Sequence, residues 1–249
     1  QDIEVYNSGV SGNNSMHSLL ILLSKGIPLK PSHAVLMHNI NDFGLLFKSE
    51  SYWVAPISRS LFLDSKRLTH KTIEDSTRTK TFNFLKSAKD ILIPNLYIYL
   101  RPRLLANVEL HVDEFSNFRE KKFDDLNIEA YEGQFSSALI SFIELSRAWN
   151  IEPILMTQAN RIDPSELYFQ KWFEDNNQGE MNIEQFAELY KIFNNIIRKI
   201  AQEKEIVLID LDLLIPKTNE FIYDTVHLNN AGSILAAESI SAALIKTIN

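Results

Sequence analysis

The chain has 249 residues, of which 45% are apolar, and this is enough for one sizeable hydrophobic core. Its formal net charge of −7 and its pI of about 5.4 argue against a general nucleic-acid-binding protein. The absence of cysteine excludes disulfides, thiolate metal sites and a cysteine nucleophile, and no apolar run approaches the roughly 20 residues of a membrane-spanning helix.

The first predicted element is a short strand over residues 3–6. A loop of small residues, Asn7 to Ser15, follows it, and its two glycines permit positive φ and close backbone approach. An apolar-rich helix is expected next, over residues 16–25. A strand, a glycine-containing loop and a helix N-terminus favour an oxyanion or phosphate site, but an ordinary connection fits the same spacing.

A second strand is predicted over residues 33–38, and the polar segment Asn39 to Asp42 follows it directly. In open α/β sheets ligands bind beyond the carboxyl ends of the strands, so Asn41 can donate its side-chain N–H to a substrate oxygen. Asparagine and aspartate are also favoured in plain turns, and the sequence leaves both interpretations open.

Residues 45–125 are the least regular part of the chain and are predicted to be an insertion, helical over about 73–90, within one domain spanning 1–249. Between Arg59 and Lys122 there are 13 Lys and Arg against 8 Asp and Glu, a net charge of +5. A solvated insertion explains this charge, although a cationic rim for an anionic substrate or a membrane surface is the alternative. The apolar stretch 92–105 can cap a cleft but is too short to span a bilayer.

The second half of the chain alternates strands with amphipathic helices. The predicted elements are a helix over 127–149, a strand over 153–157, a helix over 182–204, a strand over 206–210 and a last helix to about residue 245, capped by Asn229 or Asn230. A second loop insertion, Ile162 to Gly179, contains four aromatic residues that can form a substrate lid or pin the loop by packing: Tyr168, Phe169, Trp172 and Phe173.

Asp224 and His227 stand three residues apart, on a loop between the last predicted strand and the last helix. At that spacing the carboxylate can bind one ring nitrogen and leave the other facing a cleft, which is half of a nucleophilic triad. A loop cap and a packed histidine are the structural alternatives. The alternation of strands and helices predicts an α/β fold, a three-layer α/β/α sandwich with a parallel sheet.

Three segments together resemble the SGNH (GDSL-type) hydrolase family. Asn7 to Ser15 resembles its second block, with Gly12 as the glycine that lends a backbone N–H to the oxyanion hole. Asn39 to Asp42 resembles the third block, Gly-x-Asn-Asp, with asparagine in place of the glycine. Asp224 to His227 resembles the fifth block, Asp-x-x-His. The resemblance covers the chain from the second block to its end.

The resemblance implies a flavodoxin-like sheet with helical insertions after the second and third predicted strands, and a serine ester hydrolase. His227 would be the general base, Asp224 would orient it, and the oxyanion donors would be Gly12 and Asn41. Substrate-binding roles are expected for three neighbours of those donors, namely Asn13, Asn39 and Asp42. No metal and no organic cofactor is implied.

The nucleophile is missing from this pattern, since the family's first block, Gly-Asp-Ser, comes before the second and nothing here precedes Gln1. Ser65 and Ser76 follow aspartates but stand in the wrong part of the chain. In the flavodoxin-like order 2-1-3-4-5 the first strand lies inside the sheet, and its loss would leave unpaired backbone groups on both neighbours. We therefore expect a strand that ends in the serine to precede Gln1; a relative that only binds is the alternative.

The expected reaction is removal of O-acyl groups, acetyl above all, from a carbohydrate or polysaccharide. The alternatives are an O-acyltransferase, a lipid esterase and a non-catalytic carbohydrate-binding protein. The expected partner is an ester substrate, either a small molecule or a carbohydrate, and no nucleic acid is expected. Membrane contact is left open but is not indicated. A bacterial secreted, periplasmic or membrane-anchored location is favoured over the cytoplasm, and the oligomeric state is left open.

Overall fold

The computed structural model describes residues 3–53, 123, 126–176 and 181–248, without the side chains of 172–176 and 248. The chain divides into two compact units, Gln1–Val54 with Phe118–Asn249, and Ala55–Asn117. The second unit lies outside the described residues, and so do the helix expected at 73–90 and the apolar stretch 92–105. The single domain with an insertion therefore stays a prediction.

Three parallel strands form the described sheet, β1 (His33–Met37), β2 (Glu152–Met156) and β3 (Val207–Ile209), in the order β1-β2-β3. Leu36 lies opposite Leu155, and Met156 lies opposite Ile209. Parallel neighbours require long crossovers, and helices lie in both connections. The predicted α/β class with a parallel sheet is confirmed.

Four helices begin and end close to their predicted bounds, and three, α2, α4 and α6, are additional. They are α1 (Ser15–Ile21), α2 (Ile40–Ser49), α3 (Ile128–Ala148), α4 (Leu167–Asn176), α5 (Ile183–Glu203), the one-turn α6 (Leu211–Leu214) and α7 (Asn230–Ile248). A π-helical turn, Leu22–Gly26, and a 3₁₀ turn, Ile27–Leu29, extend α1 toward β1.

The start of α1 is fixed by a capping box directly after the Gly12 loop. The side chain of Asn14 accepts the backbone N–H groups of Met16 (3.1 Å) and His17 (3.2 Å). The Nδ1 atom of His17 accepts the N–H of Asn14 in return, at 3.3 Å. Together these bonds satisfy otherwise unpaired donors of the first turn, and so they hold the glycine loop at a defined distance from the helix.

Apolar side chains cover both faces of the central strand. Ile154 and Met156 of β2 pack with Ile209 and with Ala236 of α7 in one buried cluster. Leu155 points to the opposite face because side chains alternate along a strand. On that side α3 and α5 pack on β2 and on each other, with the rings of Phe135 and Phe193 at 4.7 Å. The sheet therefore lies between helices, and its carboxyl edge carries the loops considered below.

The strand expected over residues 3–6 is absent, and this prediction is wrong for the structure as described. Ile3, Val5 and Tyr6 are exposed, and no described residue pairs with the backbone of this segment. β-Propensity does not make a strand without a neighbouring strand to bond. Val35 and Met37 on the edge strand β1 are also partly exposed, on the same face of the sheet as Ile154 and Met156.

Candidate active site

Asp224 and His227 form a hydrogen-bonded pair on the loop before α7. Nδ1 of His227 lies 2.7 Å from Oδ2 of Asp224. The second carboxylate oxygen accepts the backbone N–H groups of Val226 (2.9 Å) and His227 (2.7 Å). The Nε2 atom of His227 has no hydrogen-bond partner among the described residues. The pair therefore has an oriented imidazole with one nitrogen available, as the Asp-x-x-His spacing predicts.

The loop that carries the pair is closed on itself by backbone bonds. The N–H of Tyr223 donates to the carbonyl of His227 (3.0 Å), and the N–H of Asn229 donates to the carbonyl of Phe221 (3.0 Å). The side chain of Asn229 accepts the N–H of Gly232 (3.0 Å) and so caps α7, as one of the two predicted candidates. A Cβ on Gly232 would clash with the carbonyl of Phe221. Glycine is thus required where the helix meets the loop.

The surroundings of the pair keep the carboxylate ionised and the imidazole open to solvent. Partial burial of Asp224 opposes ionisation, but hydrogen bonds from the N–H groups of His227 and Val226 and from the imidazole outweigh it and lower its pKa. The side chain of His227 is 65% exposed and that of Asp224 36%. The ring of Tyr223 stacks on the imidazole at 5.7 Å. These contacts hold the ring in place while leaving Nε2 accessible.

The two expected oxyanion donors lie next to each other, although 29 positions separate them. Gly12 has φ of +80°, in the left-handed region that favours glycine. No described residue accepts its backbone N–H, and the space at its Cα is open. The side chain of Asn41 donates to the carbonyl of Asn13 at 2.8 Å. This bond joins the first turn of α2 to the glycine loop, and a second N–H of the Asn41 amide remains.

The neighbours of these donors are covered by the protein itself. Asn39, which is buried, donates to the carbonyl of Tyr190 (3.0 Å) and to the side chain of Asn194 (2.9 Å) on α5. Asp42, which is fully buried, accepts the N–H of Ser15 (3.0 Å). The expected substrate contacts of Asn39 and Asp42 do not fit this arrangement, because neither carries accessible surface. Asn13 is half-buried at the open side of the loop, and its substrate contact stays a prediction.

A second histidine, His38, joins the helices that flank β1, in the packing role that its place beside the matching loops suggests. Its Nε2 lies 2.7 Å from the hydroxyl of Ser18 on α1. Its Nδ1 lies 3.5 Å from Asp42, which also accepts the hydroxyl of Tyr52 at 2.6 Å. Burial lowers the pKa of His38, and the charge of Asp42 opposes this only in part. This neutral, covered imidazole positions α1 and α2 against β1.

The segment after β2 connects the two halves of the candidate site. The side chain of Gln158 accepts the N–H of Ile40 at 3.1 Å, on the side of the oxyanion donors. The backbone N–H of Arg161 donates to the carbonyl of Thr225 at 2.8 Å, inside the loop of the aspartate–histidine pair. Both halves therefore lie along the carboxyl edge of one parallel sheet. Their convergence on a single cavity with Gly12 and Asn41 stays a prediction.

A cleft of about 490 Å³ adjoins the pair, and Tyr223, the ring stacked on His227, is part of its wall. Arg161, Lys217 and Glu166 supply its charged groups. The aromatic residues of the predicted loop insertion stand on helix α4 instead. Tyr168 lines the cleft, whereas Phe169 is buried, so the segment both lines a cleft and packs on the protein. The side chains of Trp172 and Phe173 lie outside the described residues.

A polar network lies below this cleft, at the ends of β2 and β3, and sequence motifs give no sign of it. Arg198 on α5 donates to Asp210 (2.7 and 2.9 Å) and to Asp212 (2.7 Å). The hydroxyl of Thr157 donates to Asp210 at 2.8 Å, and Asn160 donates to Asp212 at 2.7 Å. Burial opposes ionisation of Asp210, but the hydrogen bonds from Arg198 and Thr157 outweigh it and lower its pKa. This network holds α5 to the sheet edge.

No hydroxyl among the described residues lies within hydrogen-bond distance of Nε2 of His227. Within the same part of the chain, no three His, Asp or Glu side chains group as a metal site. Of the helices described, none combines the length and the apolar character needed to cross a membrane.

Comparison with known proteins gives matches among solved structures alone. No family model matches the chain, and no curated protein matches it. An alpha/beta hydrolase from the metagenome of Lake Arreo, Spain, is 15% identical with a TM-score of 0.47, covering 95% of this chain and 70% of that one. A GDSL-like lipase from Bacteroides thetaiotaomicron is 13% identical with a TM-score of 0.47, covering 96% of this chain and 74% of that one. At a TM-score below 0.5 neither likeness carries an argument about this chain.

Proposed function

We propose that the protein is a serine ester hydrolase of SGNH type and that the described residues supply its acid–base and oxyanion groups. The observation that carries this proposal is the 2.7 Å contact between Asp224 and Nδ1 of His227, with Nε2 left without a partner among the described residues. A carboxylate held ionised beside an imidazole fixes the tautomer of the ring. It also stabilises the imidazolium that forms when the ring takes a proton.

The oxyanion donors support the same reaction. Gly12 has an N–H with no acceptor among the described residues, and Asn41 is bonded to the loop that carries it. Two such donors can stabilise the negative charge of a tetrahedral intermediate, and each is typically worth about 2.7–4 kcal/mol in the transition state.

The chemical sequence follows from these roles. A serine hydroxyl attacks the ester carbonyl while its proton moves to Nε2 of His227, and the carbonyl oxygen becomes an oxyanion. The intermediate collapses, the bond to the alcohol breaks, and Nε2 returns the proton to the departing alkoxide. Water then attacks the acyl-serine by the same route and releases the carboxylic acid. No hydroxyl among the described residues bonds to Nε2 of His227, so the labelling experiment below has to identify the serine.

The substrate we propose is an O-acylated, chiefly O-acetylated, carbohydrate. An O-acyltransferase would share every step except the last, in which a sugar hydroxyl replaces water. Acetate release measured with and without an acceptor sugar separates the two activities.

A fluorophosphonate probe that reacts with activated serines tests the proposed function on the full-length protein as its gene encodes it. We expect one serine to be labelled in the wild type, identified by peptide mass spectrometry. In His227→Ala the labelling rate should fall by at least about 10³-fold, because the base is lost. His33→Ala, which removes a histidine on β1 bonded to Ser32, is the matched control and should label like the wild type.

Labelling of His227→Ala at the wild-type rate would exclude His227 as the base. Absence of labelling in the wild type would instead favour the non-catalytic carbohydrate-binding protein. Melting curves of both variants show whether each has kept its fold.

A further inference from the structure

Arg161 is held beside the aspartate–histidine pair by its backbone. It follows β2, and its N–H donates to the carbonyl of Thr225, two residues from His227. Its side chain contributes to the wall of the cleft that contains Tyr223. Because the ring of Tyr223 stacks on His227, the guanidinium and the imidazole belong to one neighbourhood.

The guanidinium of Arg161 is buried and nearly unpaired. The residue is only 7% exposed. Its side chain makes no hydrogen bond to any described residue, and its Nε atom is buried without a partner. It lies over the ring of Phe169 at 4.7 Å, and the nearest carboxylate oxygen, on Glu166, is 3.5 Å away. A buried cation without hydrogen bonds is costly, so this group is poorly matched to the surroundings that the described residues give it.

A second arginine, the half-buried Arg198, shows what internal pairing looks like in this protein. Arg198 directs its donors at Asp210, Asp212 and Asn195 at distances of 2.7 to 2.9 Å. The two arginines differ in how many hydrogen bonds their side chains make, although both approach carboxylates near the same sheet edge. Arg198 is satisfied by the fold, whereas Arg161 keeps most of its five N–H donors free among the described residues.

The cleft has the charge that an anion requires. Arg161 and Lys217 are cations, and Glu166 supplies a carboxylate, in a chain whose net charge is −7. Lys217 is half exposed and bonded to Asp212 at 2.8 Å. Glu166 is 41% exposed, and its contact with Arg161 is longer than a hydrogen bond, so an incoming anion can displace it.

We propose that Arg161 binds an anionic group of the substrate, in the part of the ester that leaves as the alcohol. A carboxylate or a phosphate presents oxygens that match the planar fork of a guanidinium. The substrate class is therefore an acylated sugar that carries a carboxylate or a phosphate, with the anion in the cleft and the ester beside His227. This inference rests on the proposed function for the ester, but the anion site itself can be tested without any reaction.

Direct binding to full-length His227→Ala provides that test, because hydrolysis cannot disturb it. The probes are methyl glucuronide, glucose 6-phosphate, inorganic phosphate and the neutral methyl glucoside, titrated by calorimetry or by NMR. We expect an anionic sugar to bind at least about tenfold more tightly than methyl glucoside. Preference for the glucuronide assigns a carboxylate, and preference for glucose 6-phosphate assigns a phosphate. Equal binding of charged and neutral sugars, or binding of inorganic phosphate alone, would overturn the proposal.

Three variants locate the site on the His227→Ala background. Arg161→Gln should remove the tenfold preference for the anionic sugar. Glu166→Gln should tighten anion binding, because it removes the competing carboxylate. Lys199→Gln removes an exposed lysine of α5 that contacts Glu203, and it serves as the control with unchanged binding. An unchanged anion preference in Arg161→Gln would show that the site lies elsewhere.

The fold is checked separately, since Arg161 packs on Phe169. If Arg161→Gln does not fold, Lys217→Gln and Glu166→Gln still decide the question, because both side chains are substantially exposed. Lys217→Gln should weaken and Glu166→Gln should strengthen anion binding; no change in either would overturn the proposal. Anion binding without any ester hydrolysis in the wild type would refute the proposed function and leave the anion site standing.

Discussion

The part of the chain that the structure describes contains two aspartate–histidine pairs, and they differ in most physical respects. His38 and Asp42 are covered, 3.5 Å apart, and surrounded by Ser18 and Tyr52. Asp224 and His227 are 2.7 Å apart on an open loop, and one imidazole nitrogen has no partner among the described residues. The same residue types at nearly the same spacing therefore hold helices together in one place and are available for chemistry in the other.

The two pairs differ in which groups donate hydrogen bonds to the aspartate. Asp42 stands in the first turn of α2, where Ser15 and Tyr52 donate to it. Asp224 receives its hydrogen bonds from its own loop, through the N–H groups of Val226 and His227. A carboxylate bonded by its own loop can stay near the surface, whereas one bonded by distant elements becomes part of the core.

The same substitution at both aspartates gives the sharpest test of this comparison, and the larger effect is expected at the open pair. Asp224→Asn keeps an oxygen for the loop N–H groups but presents an amide N–H to Nδ1 of His227. The imidazole would then carry its proton on the wrong nitrogen, and ester turnover should fall by about 10⁴-fold. Steady-state kinetics on an aryl acetate measure this loss, and thermal unfolding should change little. Retained turnover would show that Asp224 does not orient the base.

Asp42→Asn should have the opposite profile. The amide can accept fewer hydrogen bonds than the carboxylate, so one donor among Ser15, Tyr52 and His38 loses its partner in the buried pair. We expect a loss of about 1–3 kcal/mol in the free energy of unfolding. Urea denaturation of both aspartate variants compares them directly. A larger loss of stability in Asp224→Asn than in Asp42→Asn would reverse the roles assigned to the two pairs.

The smallest expected effect is a pH dependence of stability. Burial lowers the pKa of His38 in the folded protein, the charge of Asp42 opposes this, and His17 adds to the lowering. Its unfolded-state pKa is about 6.5, so the unfolded chain binds the proton more readily in the window just below that value. Stability should therefore decrease as the pH falls below about 6.5. The decrease should be shallower in His38→Gln, measured by melting curves between pH 5 and pH 8.

Much of the fold follows from patterns within short windows of sequence. The apolar repeats of α3 and α5 and the runs of β1, β2 and β3 are visible without any knowledge of partners. The Asp224–His227 contact is also local, since the spacing of three residues and the neighbouring Asn229 define it. These parts of the structure agree with the predictions made from the residues alone.

The parts that could not be predicted depend on contacts between distant segments. Asn39, Asn41 and Asp42 stand together after one strand, yet Asn39 binds α5, Asp42 binds α1, and Asn41 alone reaches the glycine loop. The residue types alone do not indicate which of these three side chains binds which segment. Residues 3–6 have the composition of a strand but no strand beside them among the described residues. The lack of a hydrogen-bond partner for Nε of Arg161 is visible only when its surroundings are known.

The aspartate–histidine loop is encoded within nine consecutive residues, Phe221 to Asn229, joined by the bridge between Ile222 and Leu228. The geometry of this loop depends more on that short peptide than on the sheet. Substitutions elsewhere in the chain can therefore alter substrate choice while the Asp224–His227 pair keeps its arrangement. The oxyanion side is not local in this sense. Gly12 and Asn41 come together only when the glycine loop and the first turn of α2 meet. Divergence within such a scaffold should therefore erode the oxyanion side first.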